Sequence, residues 1–335
     1  MQLKPLGKTG LLVSELCLGS LTFGGQTPAW DARQMLDHYT LKQGGNFIDT
    51  ASGYNNGAAE EIIGQWMRDG NHRPHMIVGS KTFLPEDGDA NHRGLSRHAI
   101  LFSVEQSLRR LQTDYIDIYY PQYWDARVPL EETLRALEHL IQSGKIRYVA
   151  CSNYTSWQVM QGLALQRQHG WSPFVAVQAQ YSLIERGIER EILSLVEAEN
   201  LGLVTWSPLA GGFLSGKFSP KKAFDEKTRL GSDDPMAGFY REIADNPRGW
   251  AILDVVREVA QNHSAEPSQA ALAWVRGRPF VSSVIVGGSQ IEHIDVNLAA
   301  ANLNLNGDEL RLLDEVSAID VGYPGYMEDV VNVLR

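Results

Sequence analysis

Gly44-Gly45-Asn46-Phe47-Ile48-Asp49-Thr50-Ala51-Ser52-Gly53-Tyr54 is the stretch whose reading decides the fold. Gly44 and Gly45 stop a helix, because glycine accepts the left-handed conformation that a helix C-terminus needs. A short apolar strand follows and ends at Asp49. The polar loop beyond it carries Tyr54. An acidic group at a strand's C-terminal end, with a phenol close behind, is where an α/β barrel keeps its chemistry.

Working outward, LKPLGKTGLLVSEL reads as a two-stranded hairpin around Gly7 and Gly10, and Leu16–Gly19 as the first strand. Asp31 is placed to cap a helix that runs to about Gln43. Further strands are expected at Phe47–Asp49, Met76–Ser80, Ile116–Tyr119, Arg147–Cys151, Phe174–Gln178, Leu203–Trp206 and Val284–Val286. Helices alternate with them at Glu60–Met67, Ser96–Leu111, Leu130–Ser143, Ser156–Gln168 and Glu185–Glu199. After a Gly-, Lys-, Asp- and Ser-rich loop over Ser207–Pro247, more are expected at Gly249–Asn262, Pro267–Arg276, Ile291–Ala301 and Asp308–Ile319. A loop of that length is usually functional. Eight strands alternating with helices predict the α/β class and a single (β/α)8 barrel, with an N-terminal hairpin and a long loop after the seventh strand. Such a barrel of roughly 250 residues plus insertions accounts for all 335 residues as one domain.

The net charge of −10 argues against nucleic acid and anionic membranes as partners. The two cysteines, Cys17 and Cys151, lie in apolar runs and read as small buried hydrophobes, which suits a reducing, cytoplasmic location. The polar start MQLKPLGKTG is no signal peptide, and no apolar run is long enough to span a bilayer. No metal ligand set is assigned.

In a barrel, function gathers at the C-terminal ends of the strands. Those ends carry Asp49 with Tyr54, then Lys81, Gln122, Ser152-Asn153, Gln178, Trp206-Ser207 and Gly287-Gly288-Ser289. A free phenol is a poor acid at neutral pH. Lys81 beside Tyr54 would lower the phenol's pKa, and Asp49 would hold Lys81 charged and oriented. The expected result is a proton donor tuned towards neutral pH, suited to an oxyanion forming at a carbonyl that accepts hydride.

The segments GGNFIDTASGY, AAEEIIGQWM, VGSKTF, SLRRLQTDYIDIYY, SGKIRYVACSN, VQAQYSLIER and WSPLAGGFLSGK resemble the aldo-keto reductase superfamily over nearly the whole chain. Its bacterial and potassium-channel β-subunit-like branches are the more similar. The resemblance implies a (β/α)8 barrel that binds NADPH, with NADH possible, and reduces the carbonyl of a small molecule. Asp49, Tyr54 and Lys81 match the catalytic residues, with Tyr54 as proton donor. Gln122 stands where the family has a histidine. Glutamine can still donate a hydrogen bond to a carbonyl but cannot titrate near neutral pH. The alternative is a sensor or regulatory subunit that binds NADP(H) and turns over slowly.

The resemblance also implies that Ser152, Asn153 and Gln178 bond the nicotinamide carboxamide and that Trp206 stacks on its ring. Ser207, Leu209, Gly211 and Lys217 match the loop around the pyrophosphate. Gly287, Ser289, His293 and Asn297 match the adenosine end, although a solvated surface histidine is an equal reading of His293. Arg229 resembles the arginine that takes the 2′-phosphate in the channel-like branch. Trp30, Phe83, Tyr123 and Trp124 either line an apolar substrate pocket or pack the loops above the site. The oligomeric state is left open.

Overall fold

The computed structural model describes residues 1–85, 87–219, 230–231 and 237–327. Ten strands are found among them. β1 (Leu3–Pro5) and β2 (Leu12–Ser14) pair antiparallel as the hairpin. β3 (Leu16–Gly19), β4 (Phe47–Asp49), β5 (Ile77–Thr82), β6 (Ile116–Pro121), β7 (Ile146–Ser152), β8 (Phe174–Gln180), β9 (Gly202–Trp206) and β10 (Val281–Val286) pair in parallel in that order. β10 closes the barrel on β3. This is the (β/α)8 barrel expected, with its hairpin.

The helices are α1 (Ala29–Asp37), α2 (Ala58–Asp69), α3 (Arg97–Leu111), α4 (Leu130–Gln142), α5 (Ser156–His169), α6 (Ile192–Glu199), α7 (Ala237–Asp245), α8 (Pro247–Asn262), α9 (Pro267–Arg276), α10 (Ile291–Leu298) and α11 (Gly307–Val316). Local chemistry sets their ends. Ser96 caps α3 by accepting from the Ala99 amide at 3.1 Å, which satisfies a donor that the first turn leaves orphaned. Thr155 and Gln158 form a capping box on α5, which Gly170 ends at φ +65°. Three expectations are corrected. Asp31 does not cap α1: Pro28 holds that position and Asp31 lies in the first turn, while the helix continues as a π-turn over His38–Lys42. The helix expected from Glu185 is a 3-10 segment at Gly187–Arg190 followed by an α-helix that starts only at Ile192, while Glu185 itself lies in a turn where the Ser182 hydroxyl accepts from the Ile184 and Glu185 amides. The loop after β9 is not uniformly irregular, since it contains a 3-10 segment at Ala210–Ser215 and the helix α7.

Along each barrel strand, side chains alternate between two apolar clusters. Leu16, Leu18, Ile48, Tyr119, Val149, Cys151, Val177 and Leu203 face the helices. Cys17, Phe47, Ile118, Tyr120, Ala150, Ala176 and Val204 fill the barrel interior. Both cysteines are free and buried. Leu6 and Val13 of the hairpin join the interior cluster and plug its lower end. There Gly7, at φ +57°, is irreplaceable: a Cβ would stand 2.6 Å from the Gly202 amide nitrogen and 2.7 Å from the Val175 oxygen. No helix among the described residues is long and apolar enough to cross a membrane.

Candidate active site

The period-2 alternation predicts what stands one layer above the apolar interior. Two residues beyond Phe47 is Asp49, and beyond Tyr120, Gln122. Ala150 leads likewise to Ser152, Ala176 to Gln178 and Val204 to Trp206. Gly79, whose face packs on the Tyr120 and Phe47 rings, leads to Lys81. The inward stripe of six strands therefore changes from apolar to polar at the upper rim. Asp49, Lys81, Gln122, Ser152 and Gln178 are all buried there.

Lys81 is the hub. Its ammonium donates to Asp49 Oδ2 at 2.6 Å, to the Thr50 carbonyl at 2.8 Å and to the Tyr54 hydroxyl oxygen at 3.2 Å. An ammonium has three donors and no acceptor, so all three are assigned. The carboxylate holds Lys81 firmly charged: burial works against the ammonium, but the Asp49 and Tyr54 contacts outweigh it and raise its pKa. The phenol of Tyr54 behaves opposite to expectation. Burial pushes its pKa above the ordinary value and the Lys81 charge does not reverse this, partly because the Asp49 charge opposes it. Tyr54 is thus not tuned towards neutral pH; it stays protonated there. Its loop is kept tight by two left-handed residues, Asn55 and Asn56, and the Asn55 amide donates to the Leu21 and Phe23 carbonyls.

Amide side chains tie the rest of the rim together. Gln178 Nε2 donates to Asp49 Oδ1 at 2.8 Å. Asn153, at φ +58°, donates through Nδ2 to the Gln122 carbonyl at 2.9 Å and accepts from Trp206 Nε1 at 3.0 Å. The Trp206 indole is therefore held in orientation by the residue that follows β7. The Gln122 and Ser152 side chains make no hydrogen bond among the described residues. That Gln178 braces Asp49 is not apparent from either residue's place in the sequence. Its one signal was the inward stripe on β8, since 129 residues separate the two. Ser207, at φ +53°, meets the Tyr240 hydroxyl at 2.7 Å and accepts from the Gly211 amide at 3.2 Å. Tyr240 was not singled out either.

With this geometry in hand, comparison with known proteins is decisive. The model of the aldo/keto reductase family matches residues 15–318. This chain belongs to that family. It is 33% identical to a norsolorinic acid reductase of Aspergillus flavus, over 94% of this chain and 80% of that protein. It is 30% identical to a putative aryl-alcohol dehydrogenase of Saccharomyces cerevisiae, over 96% and 88%. It is also 35% identical to a probable voltage-gated potassium channel subunit beta of Oryza sativa, over 90% and 92%. Its relatives thus include oxidoreductases.

In this aldo/keto reductase the remaining singled-out residues fall in two groups. Leu209, Gly211, Lys217, Gly287, Ser289, His293 and Asn297 lie beyond β9 and β10. Gly211 and Gly212 have φ of +67° and +93°, and the Lys217 ammonium lies over the Phe218 ring. Desolvation and the nearby Lys217 charge hold His293 below its usual value. Lys217 stands beside the glycine turn, its ammonium 3.5 Å from where a Cβ on Gly212 would lie. Asn297 bonds the Gly287 carbonyl at 3.3 Å, and Thr22 and Thr27 bond the carbonyls of Gly288 and Ser289. Arg229 lies outside the described residues.

The four aromatics separate. Phe83 and Tyr123 meet edge-on at 5.3 Å, and Tyr123 is near enough to influence Tyr54. Trp124 instead packs edge-on against Tyr154 and Trp157 at 5.3 and 5.4 Å, a contact with α5 and the loop before it. Trp30 is exposed at the start of α1.

Proposed function

We propose that this aldo/keto reductase is an NADPH-dependent enzyme that reduces an aldehyde or ketone of a small molecule to an alcohol, with NADH as the lesser cofactor. The observation that carries the reading is the direction of one hydrogen bond. Lys81 can only donate, so the Tyr54 oxygen accepts from it. The phenol's own proton is left to point elsewhere, towards a carbonyl oxygen placed above the rim. Bound nicotinamide supplies the hydride. The chain supplies the proton from Tyr54, which its raised pKa keeps loaded across neutral pH. As the proton leaves, the Lys81 ammonium already stands 3.2 Å from the forming phenolate and stabilises it. Asp49 and the Thr50 carbonyl keep that ammonium fixed, and Gln178 keeps Asp49 fixed. The Gln122 amide is available to orient the carbonyl.

For the cofactor, Trp206 offers a braced ring face for stacking. Ser152, Asn153 and Gln178 carry the donors and acceptors that a carboxamide needs, although the Asn153 amide is already bonded on both sides. Ser207, Leu209, Gly211 and Lys217 suit the pyrophosphate. Gly287, Ser289, His293 and Asn297 suit the adenosine, and Arg229 the 2′-phosphate. The test is stopped-flow oxidation of bound NADPH and NADH by aldehydes, ketones and enones. Tyr54→Phe should slow the reduction by roughly 100-fold or more, with cofactor affinity retained. Wild-type turnover in that variant would refute the acid. A second reading, an NADP(H)-binding sensor, is favoured by the non-titrating Gln122. Tight cofactor binding without oxidation by any carbonyl would support it.

A further inference from the structure

The loops that follow β5 and β6 form an open cleft of about 270 Å³, lined by Phe83, Leu84, Pro85, Arg93, Gly94 and Arg127. Its link to the catalytic residues runs through Phe83 and Leu84. Phe83 follows closely on Lys81, and its ring meets Tyr123, which is near Tyr54. Leu84 lies over Gly53, where an added Cβ would come within 3.1 Å of the Leu84 Cβ. The cleft's walls are fixed. Asp87 accepts from the Asp89 amide and Asp89 from the Asn91 amide, each at 2.8 Å. His92 bonds Asp87 at 2.8 Å and stacks on Phe102 at 3.5 Å. The Gly94 amide donates to the Phe83 carbonyl at 2.8 Å. Asp125 joins the two loops by accepting from the Leu95 amide at 3.1 Å.

Two guanidiniums face this cleft with little to neutralise them. Arg93 forms no ion pair among the described residues. Arg127 approaches Asp125 at 3.6 Å through Nε only, and that carboxylate also accepts from the Leu95 and Arg127 amides. The two guanidiniums line the cleft together with the Phe83 ring. Both guanidiniums are exposed, and a planar fork of donors suits a carboxylate or another oxyanion.

We infer that Arg93 and Arg127 form an anion subsite, so that the preferred substrate is an aromatic carbonyl compound bearing a carboxylate or like oxyanion remote from the reacting carbon. Phe83 and Tyr123 hold the ring, and the guanidiniums hold the anion. This inference rests on the reductase reading above for its chemistry but not for its binding site.

The experiment compares reduction of 4-formylbenzoate with that of its methyl ester, which differs by one charge. Wild type should show a KM for the carboxylate lower by about tenfold, shrinking as salt rises. In the double variant Arg93→Gln/Arg127→Gln, the ratio of the two KM values should fall towards one. A ratio near one in wild type, or one preserved in the double variant, overturns the subsite. If neither aldehyde is reduced, the reductase reading fails separately, and calorimetric titration of 4-formylbenzoate into the NADPH-loaded protein decides the subsite. Binding lost in the double variant supports it; no binding to wild type overturns it.

Discussion

Replacing Asp49 by Asn removes one charge from a pair that is almost wholly buried, with side-chain exposures of 1% for Lys81 and 4% for Asp49. The contact is 2.6 Å. At an effective dielectric constant of about 20, two charges at that separation attract by roughly 6 kcal/mol. Part of this only offsets the desolvation of both ions, so the net value of the pair is smaller. Breaking it is another matter, because Lys81 is left charged in the interior. That typically costs about 3–5 kcal/mol. The Thr50 carbonyl and Tyr54 oxygen remain as acceptors, which places the expected loss at the lower end, about 3 kcal/mol. Lys81→Met should cost a similar amount by stranding Asp49, softened by the Gln178 bond. The double variant Asp49→Asn/Lys81→Met leaves no stranded charge and should lose less than the two single losses added together. Urea unfolding of the four proteins, with the slope checked for constancy, gives the cycle. Single losses below about 1 kcal/mol, or additive losses, would refute a desolvated pair and with it the idea that Asp49 exists to keep Lys81 charged.

Other outcomes follow from the same geometry. The reduction rate should show no limb from loss of the Tyr54 proton around neutral pH, because burial raises Tyr54 above the ordinary phenol value. Gln122→His should add a limb near neutral pH where wild type has none, as read from the kcat profile. Asn153→Ala removes the acceptor for the Trp206 indole and should weaken NADPH binding by about tenfold, measured by quenching of tryptophan fluorescence. Gly64→Ala would drive a Cβ to 2.2 Å from the Arg110 carbonyl and 2.7 Å from the Leu111 carbonyl carbon, both backbone. Since α3 cannot move away cheaply, it should lose about 2 kcal/mol of stability in urea unfolding.

The sequence by itself determined the barrel, because eight apolar runs separated by helix-length segments have few other ways to bury their faces. It also placed every rim residue, since a strand's period of two makes Asp49, Lys81, Gln122, Ser152, Gln178 and Trp206 predictable from the apolar residues beneath them. Helix ends with explicit caps, such as Ser96 and Gly170, were legible for the same local reason. Only the tertiary structure decided who bonds whom across the rim. Gln178 bracing Asp49 and Asn153 joining Trp206 to Gln122 are contacts between strands far apart in the chain. It also reversed the sign expected for Tyr54. From sequence one sees a lysine beside a phenol and expects the pKa to fall. Burial, and an aspartate that offsets the same lysine's charge, are properties of the folded surroundings, and together they leave Tyr54 holding its proton.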